Sequence, residues 1–198
     1  MINDEHITLE YLQRFVKDKS VFIETGTHLG NAVETARQFG FETIHSIEID
    51  PEYHAKAVER FKDYPHIHIH LGDSATILGQ LIDNSPAGMP ITFWLDAHAS
   101  GPLLGNPNHP CPLLLELDAM REKRFVFDGE KATSKIVPQK HTIFIDDRRL
   151  LGSAEWGFVR WPQIVDALKL INPEYSVTFL DGHVENDVVC CFLGEHDE

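Results

Sequence analysis

The stretch VFIETGTHLGNAVETARQFG, Val21 to Gly40, reads as a buried strand, a tight turn and a helix. Val21–Glu24 is a short apolar run of the kind that forms a central strand. Glu24, Gly26 and Gly30 then fall in an E-x-G-x-x-x-G turn, and Asn31–Phe39 carries a helical pattern that ends at Gly40, a C-cap residue. A glycine turn between strand and helix brings backbone N–H groups against a ligand. His28 stands where such a turn usually keeps a middle glycine, and Glu24 puts a carboxylate beside the ligand.

Outward from this unit, β-rich runs alternate with helical patterns, which predicts βαβ units and a parallel sheet. A helix over about Ile7–Lys17 precedes the first strand. Strand Thr43–Ile49 leads to a helix opened by Pro51 and running to about Lys62. Strand His66–Leu71 alternates His with apolar residues, and a helix starts near Ser74. Strand Ile91–Asp96 is almost wholly apolar, followed by a Gly/Pro/His-rich loop to Pro112. Helix Leu113–Lys123, a polar stretch around Asp128–Lys140, strand His141–Asp146 and a helix near Trp161–Ile171 come next. Tyr175–Leu180 and Asp187–Leu193 close the chain as an antiparallel hairpin. The predicted fold is α/β: a three-layer αβα sandwich with a seven-stranded, mostly parallel Rossmann-like sheet and a C-terminal β-hairpin. One domain spans residues 1–198, with an N-terminal helix inside 1–18 and loop insertions at 97–112 and 125–140 near the active site.

Composition narrows the partners. With 42% hydrophobic and 24% charged residues, 198 residues suit one soluble domain. The net charge is −14, from 17 Lys and Arg against 31 Asp and Glu. Such a surface repels phosphate backbones and anionic lipid, so neither nucleic acid nor membrane is expected as a partner. No apolar run approaches the ~20 residues that span a bilayer, and the first residues lack an apolar signal core. Cys111, Cys190 and Cys191 make no disulfide framework; they read as reduced thiols of a cytoplasmic protein, with Cys190 and Cys191 on opposite faces of one strand.

Three acids fall at strand ends in the first half of the chain: Glu24, Glu48 and Asp73. A carboxylate after the second strand suits a ribose diol. A glutamate before the glycine turn disfavours a pyrophosphate and suits a cationic ligand. The ordered set Glu24-Thr25-Gly26-Thr27-His28-Leu29-Gly30, then Glu48, then Gly72-Asp73-Ser74 resembles the class I S-adenosylmethionine-dependent methyltransferases. The resemblance implies that Thr25, Gly26, Thr27, His28 and Gly30 approach the methionine part. It also implies that Glu48 and Ile49 take the ribose side, that Asp73 and Ser74 lie by the adenine, and that Asp96 closes the cofactor site.

Asp96 ends the fourth strand, and Asp146 and Asp147 end the fifth. Adjacent parallel strands lie about 4.8 Å apart, so the three carboxylates converge at one sheet edge and repel unless a cation neutralises them. Mg²⁺ suits such a set of hard oxygens. The alternatives are helix capping by Asp146 or Asp147 and a structural turn at Asp96. The pattern further resembles the metal-dependent O-methyltransferases of the catechol, macrolide and aminocoumarin sugar type. That likeness implies metal ligation by Asp96, Asp146 and Asp147 and methyl transfer to a hydroxyl of a sugar or polyphenol. The catechol enzymes keep a lysine three residues after the metal aspartate, where this chain has Ala99; His98 is the candidate base.

His98, His109 and Cys111 offer zinc-type ligands, but without a paired C-x-x-C or H-x-x-H spacing. His66, His68 and His70 share one strand face; they read as half-buried strand histidines, with metal binding as the alternative. Arg148 and Arg149 either balance the acidic pair or stay solvated. The expected partner is a small-molecule hydroxyl acceptor, and a homodimer is compatible with the sequence. Two other functions fit parts of the pattern: an NAD-dependent oxidoreductase, and a cofactor-binding protein without turnover.

Overall fold

The computed structural model describes residues 7–98, 111–128, 131–154 and 156–194; for 122–128 and 131–136 only the backbone is described. Strands β1 (Val21–Thr25), β2 (Thr43–Glu48), β3 (Ile67–Leu71), β4 (Thr92–Leu95), β7 (Thr142–Ile145), β8 (Ser176–Leu180) and β9 (Val188–Phe192) form one sheet in the order β3-β2-β1-β4-β7-β9-β8. The pairs among β3, β2, β1, β4 and β7 are parallel. Strand β9 runs antiparallel to both β7 and β8, so the closing hairpin forms as expected.

Each central strand is apolar on both faces because helices cover both. On one face Leu12 and Phe15 of α1 (Leu9–Phe15), Val33 and Ala36 of α2 (Asn31–Phe39) and Phe61 of α3 (Pro51–Phe61) pack on Phe22, Ile44, Trp94 and Phe144. On the other, Leu78 of α4 (Ser74–Asn84), Leu113 and Leu117 of α5 (Leu113–Ala119) and Ile164 and Leu168 of α6 (Trp161–Ile171) pack on Ile23, Ile47, Phe93, Leu95 and Ile143. Cys190 belongs to the first core and Cys191 to the second, as adjacent strand residues must. Both are free thiols whose burial raises their pKa, that of Cys191 to about 12.

Two departures from the sequence reading fall between α5 and β7. The helix stops at Ala119 rather than Lys123, and the polar stretch after it is no open loop insertion. Residues there form a two-stranded antiparallel hairpin, β5 (Glu122–Asp128) with β6 (Lys131–Val137). Leu, Glu, Lys and Arg in this region favour helix locally, but cross-strand pairing of Lys123–Phe127 with Ala132–Ile136 overrides that propensity. The segment 99–110 lies outside the described residues, and with it Ala99, His109 and most of the expected loop insertion at 97–112. Among the described residues no helix is long and apolar enough to cross a membrane.

Candidate active site

The strand order reverses between β1 and β4, and this is where open α/β sheets bind ligands, beyond the strands' carboxyl ends. An open cleft lies there, lined by Glu24, Gly26, Thr27, His28, Asn31, Trp94, Asp96 and Asp146, with Ile7 and Ala32 also against it.

The glycine turn is fixed by backbone geometry. Gly26 has φ +87°, and a Cβ there would sit 2.8 Å from the Asp96 carbonyl oxygen, so only glycine lets the turn approach β4. Gly30, at φ +76°, would press a Cβ 2.6 Å from the Phe61 ring. His28 adopts φ +46°, so the position of the expected middle glycine keeps a left-handed backbone while carrying a side chain. That strain is offset locally: the His28 N–H donates to Glu48 Oε2 at 2.7 Å, and its ring meets Tyr53 with centroids 4.6 Å apart.

Glu24, only 2% exposed, is buttressed by hydroxyls. Ser46 Oγ donates to Glu24 Oε2 at 2.6 Å and is itself 2.5 Å from Thr27 Oγ1. Since Ser46 spends its single hydrogen on Glu24, Thr27 is the donor to Ser46, and a chain of two hydroxyls points at the carboxylate. Glu48 accepts from two backbone N–H groups, His28 on Oε2 and Asp50 on Oε1 at 2.8 Å. Each oxygen keeps a further lone pair, which is what a ribose diol requires. Asp73 caps α4 through Ala75 N at 2.9 Å, with Ser74 buried beside it. Ile49 follows Glu48 and leaves 39% of its surface exposed. Thr25 is fully buried behind the turn.

The second half of the site gathers charge. Asp96, His98 and Asp147 bring ligand-type atoms within 4.8 Å of one another, and so do Asp146, Asp147 and Asp187. His98 Nε2 lies 3.3 Å from Asp147 Oδ2, and its Nδ1 lies 3.7 Å from Asp96 Oδ1. Arg149 Nη1 pairs with Asp147 at 2.5 Å and also with Asp187. Arg148 instead donates to the Asn186 carbonyl and lies over the Phe179 ring. Asp147 has φ +57° and makes no side-chain cap to the 3₁₀ turn it precedes, and Asp146 Oδ1 accepts from Asp147 N. Burial, then the carboxylates of Asp146, Asp147 and Glu24, push Asp96 well above the usual carboxylate range, with only Arg149 opposing.

Of the residues expected from the sequence, Glu24, Gly26, Thr27, His28, Asp96 and Asp146 line one cleft. Gly30, Glu48 and Thr25 shape the turn from behind, His98 and Asp147 adjoin its acidic side, and Ile49, Asp73 and Ser74 sit at the ends of β2 and β3. Sequence reasoning missed three residues. Ser46 orients Glu24 and gives no local signal. Asp187 enters from the β8–β9 turn, a tertiary neighbour of Asp147 without a spacing clue. Glu116 on α5 is 1% exposed, its Oε1 lacks a hydrogen-bond partner, and burial raises its pKa to about 7 against the nearby Ser74 and Thr25 hydroxyls.

The donor chemistry of the cleft fits two groups. For S-adenosylmethionine, the pinched Gly26 turn, a buried acid facing the cleft and a two-lone-pair carboxylate at the end of β2 fit the cofactor's backbone-contacting, cationic and diol parts. For a hard divalent cation, Asp96, Asp146, Asp147 and Asp187 fit, because they bring carboxylate oxygens within 4.8 Å of one another in two groups that share Asp147.

The sheet order and site together define the class I methyltransferase fold. The solved structures that the chain resembles include methyltransferases of several kinds, among them four described as O-methyltransferases or candidates for that activity. A candidate rRNA methylase from Clostridium thermocellum matches with a TM-score of 0.57 and 16% identity, over 93% of this chain and 94% of that one. An O-methyltransferase from Bacillus cereus, solved with S-adenosylhomocysteine, matches with a TM-score of 0.55 and 14% identity, over 93% and 78%. TomG, an O-methyltransferase of tomaymycin synthesis from Streptomyces achromogenes solved with S-adenosylmethionine, matches with a TM-score of 0.53 and 16% identity, over 94% and 78%. At such identities the likeness establishes the fold. No known family model matches the sequence, and no curated protein matches it.

Proposed function

We propose that this chain, acting as one domain, is a methyltransferase that moves a methyl group from S-adenosylmethionine to a hydroxyl of a small molecule, a sugar or polyphenol, with Mg²⁺ assistance. The observation that carries the reading is the meeting of two sets of residues in one cleft at the sheet's switch point: Glu24 and Gly26–Leu29 of the turn, which Glu48 braces through the His28 N–H, and the acids Asp96 and Asp146.

In this reading Gly26 admits the cofactor's methionine part to the turn backbone, with Thr25, Thr27, His28 and Gly30 shaping it. Glu24 supplies negative charge toward a sulfonium, Glu48 accepts the ribose hydroxyls with Ile49 alongside, and Asp73 and Ser74 flank the adenine. Asp96, Asp146 and Asp147 hold the metal, which would supply Lewis-acid activation of the acceptor oxygen. His98, held between Asp96 and Asp147, accepts the hydroxyl proton at Nε2 or Nδ1. The net charge of −14 favours a small acceptor over a polyanion.

The test is methyl transfer from labelled S-adenosylmethionine to a panel of vicinal-diol sugars and polyphenols, with Mg²⁺ and with chelator. Transfer that needs Mg²⁺ supports the reading. Transfer unaffected by chelator removes the metal from it, and cofactor binding without transfer to any acceptor favours a binding protein.

A further inference from the structure

The sheet edge opposite the hairpin carries a cluster that the proposed reaction does not use. Strand β3 alternates His and Ile, so His68 and His70 share a face at i, i+2. The parallel register sets His45 of β2 opposite His68, with Ile47 opposite His70. Two histidines two apart on one strand and a third on its neighbour bring three imidazoles to one patch. His45 Nδ1 and His70 Nε2 are 3.0 Å apart, and the His68 ring stacks on His45 at 5.1 Å between centroids and 27° between planes. The patch is reachable: β3 is an edge strand, His68 is exposed, and His45 and His70 are half-buried.

From these contacts we propose that His45, His68 and His70 form a binding site for a borderline-soft divalent transition metal, with Zn²⁺ as the type ion. At 3.0 Å, the two facing nitrogens share one hydrogen. A tautomer shift that puts the ring protons on His45 Nε2 and His70 Nδ1 turns both facing nitrogens into lone-pair donors, with no net proton released. Tetrahedral Zn²⁺ with Zn–N bonds of about 2.0–2.1 Å places ligand nitrogens roughly 3.3 Å apart, so the pair need open only slightly. His68 reaches the same ion by rotating off the His45 ring, and a water takes the fourth position. Protons compete little at neutral pH, because burial and neighbouring imidazoles push His45 down to about 4 and lower His70 too. Imidazole nitrogens select Zn²⁺, Ni²⁺ and Cu²⁺ over Mg²⁺, so this site and the aspartate cluster take different ions. The inference is independent of the methyltransferase reading.

The test is calorimetric titration with Zn²⁺ in excess Mg²⁺, on the full chain and on an Asp146→Ala background that disables the aspartate cluster. One Zn²⁺ per chain is expected in both, with a matching rise in Tm. His45→Ala and His70→Ala should each weaken binding more than about tenfold, and His66→Ala, in the turn just before β3 and outside the cluster, should leave it unchanged. X-ray absorption of the unmutated protein with Zn²⁺ reads the ligands without relying on a variant's folding. Two or more imidazole scatterers support the site, because the aspartate cluster offers His98 alone. Coordination by fewer imidazoles, or equal affinity in the His45→Ala/His70→Ala double variant, overturns it.

Discussion

The two halves of the cleft are built on opposite principles. Around β1 and β2, every acid that faces the ligand side is already satisfied: Glu24 by Ser46, and Glu48 by the N–H groups of His28 and Asp50. Its precision comes from backbone, with Gly26 leaving no room for a Cβ against the Asp96–Ala97 backbone just past β4. At the ends of β4 and β7, by contrast, Asp96, Asp146, Asp147 and Asp187 crowd together, with Arg149 paired to Asp147 and Asp187. The first half is preorganised and needs no ligand to be stable. The second stores like-charge repulsion that a cation would relieve. Strain and stability are therefore divided by region: removing a polar group should cost stability beside the turn and gain it beside the aspartates.

The largest effect is expected on the acidic side. Asp146→Ala should reduce methyl transfer by about a thousandfold, the loss typical of removing a preorganised electrostatic element, while binding of S-adenosylhomocysteine stays within a few-fold. Equal loss of both would erase the distinction between the halves.

Glu116 is the exception on the turn side, a buried acid left partly unsatisfied. Its folded pKa of about 7 exceeds the ordinary 4.5. The folded state thus binds the extra proton, so stability is greatest below about 4.5 and falls as pH rises to about 7. The expected loss is about 3 kcal/mol across that window. Glu116→Gln should flatten this part of the stability–pH curve in urea titrations; an unchanged curve would mean that another group carries it.

Glu48→Gln comes next. It keeps the shape but replaces two charge-assisted acceptors, which should weaken S-adenosylhomocysteine binding roughly 10- to 100-fold and lower Tm. The smallest effect carries the opposite sign. Asp96→Asn should raise the Tm of the metal-free protein by about 2–4 °C, because it replaces an ionisable group whose charged form burial and its neighbours disfavour. Scanning calorimetry checks both, and two shifts of the same sign would break the regional contrast.

The same contrast explains what could be read from the sequence. Glu24, Gly26, Gly30 and Glu48 were legible because strand, turn and helix are contiguous and the glycines answer to local backbone sterics. The His28 substitution was visible, but its consequence was not: only the structure shows a left-handed residue held by Glu48 and Tyr53. Asp96, Asp146 and Asp147 could be brought together because parallel strands end in one layer. Asp187 could not, since a hairpin turn some forty residues later carries no register information. Ser46 and Glu116 depend on packing between elements. The β5–β6 hairpin was missed although its Asp128-Gly129 dipeptide is a hairpin signal; the polar composition around it read as loop.

The central claim is that the Glu24 turn holds a sulfonium cofactor rather than a dinucleotide, and calorimetry on the unmodified chain tests it most directly. S-adenosylhomocysteine should bind at one site per chain, and NAD should give no heat at the same concentrations. Tight NAD binding with no response to S-adenosylhomocysteine would contradict the account.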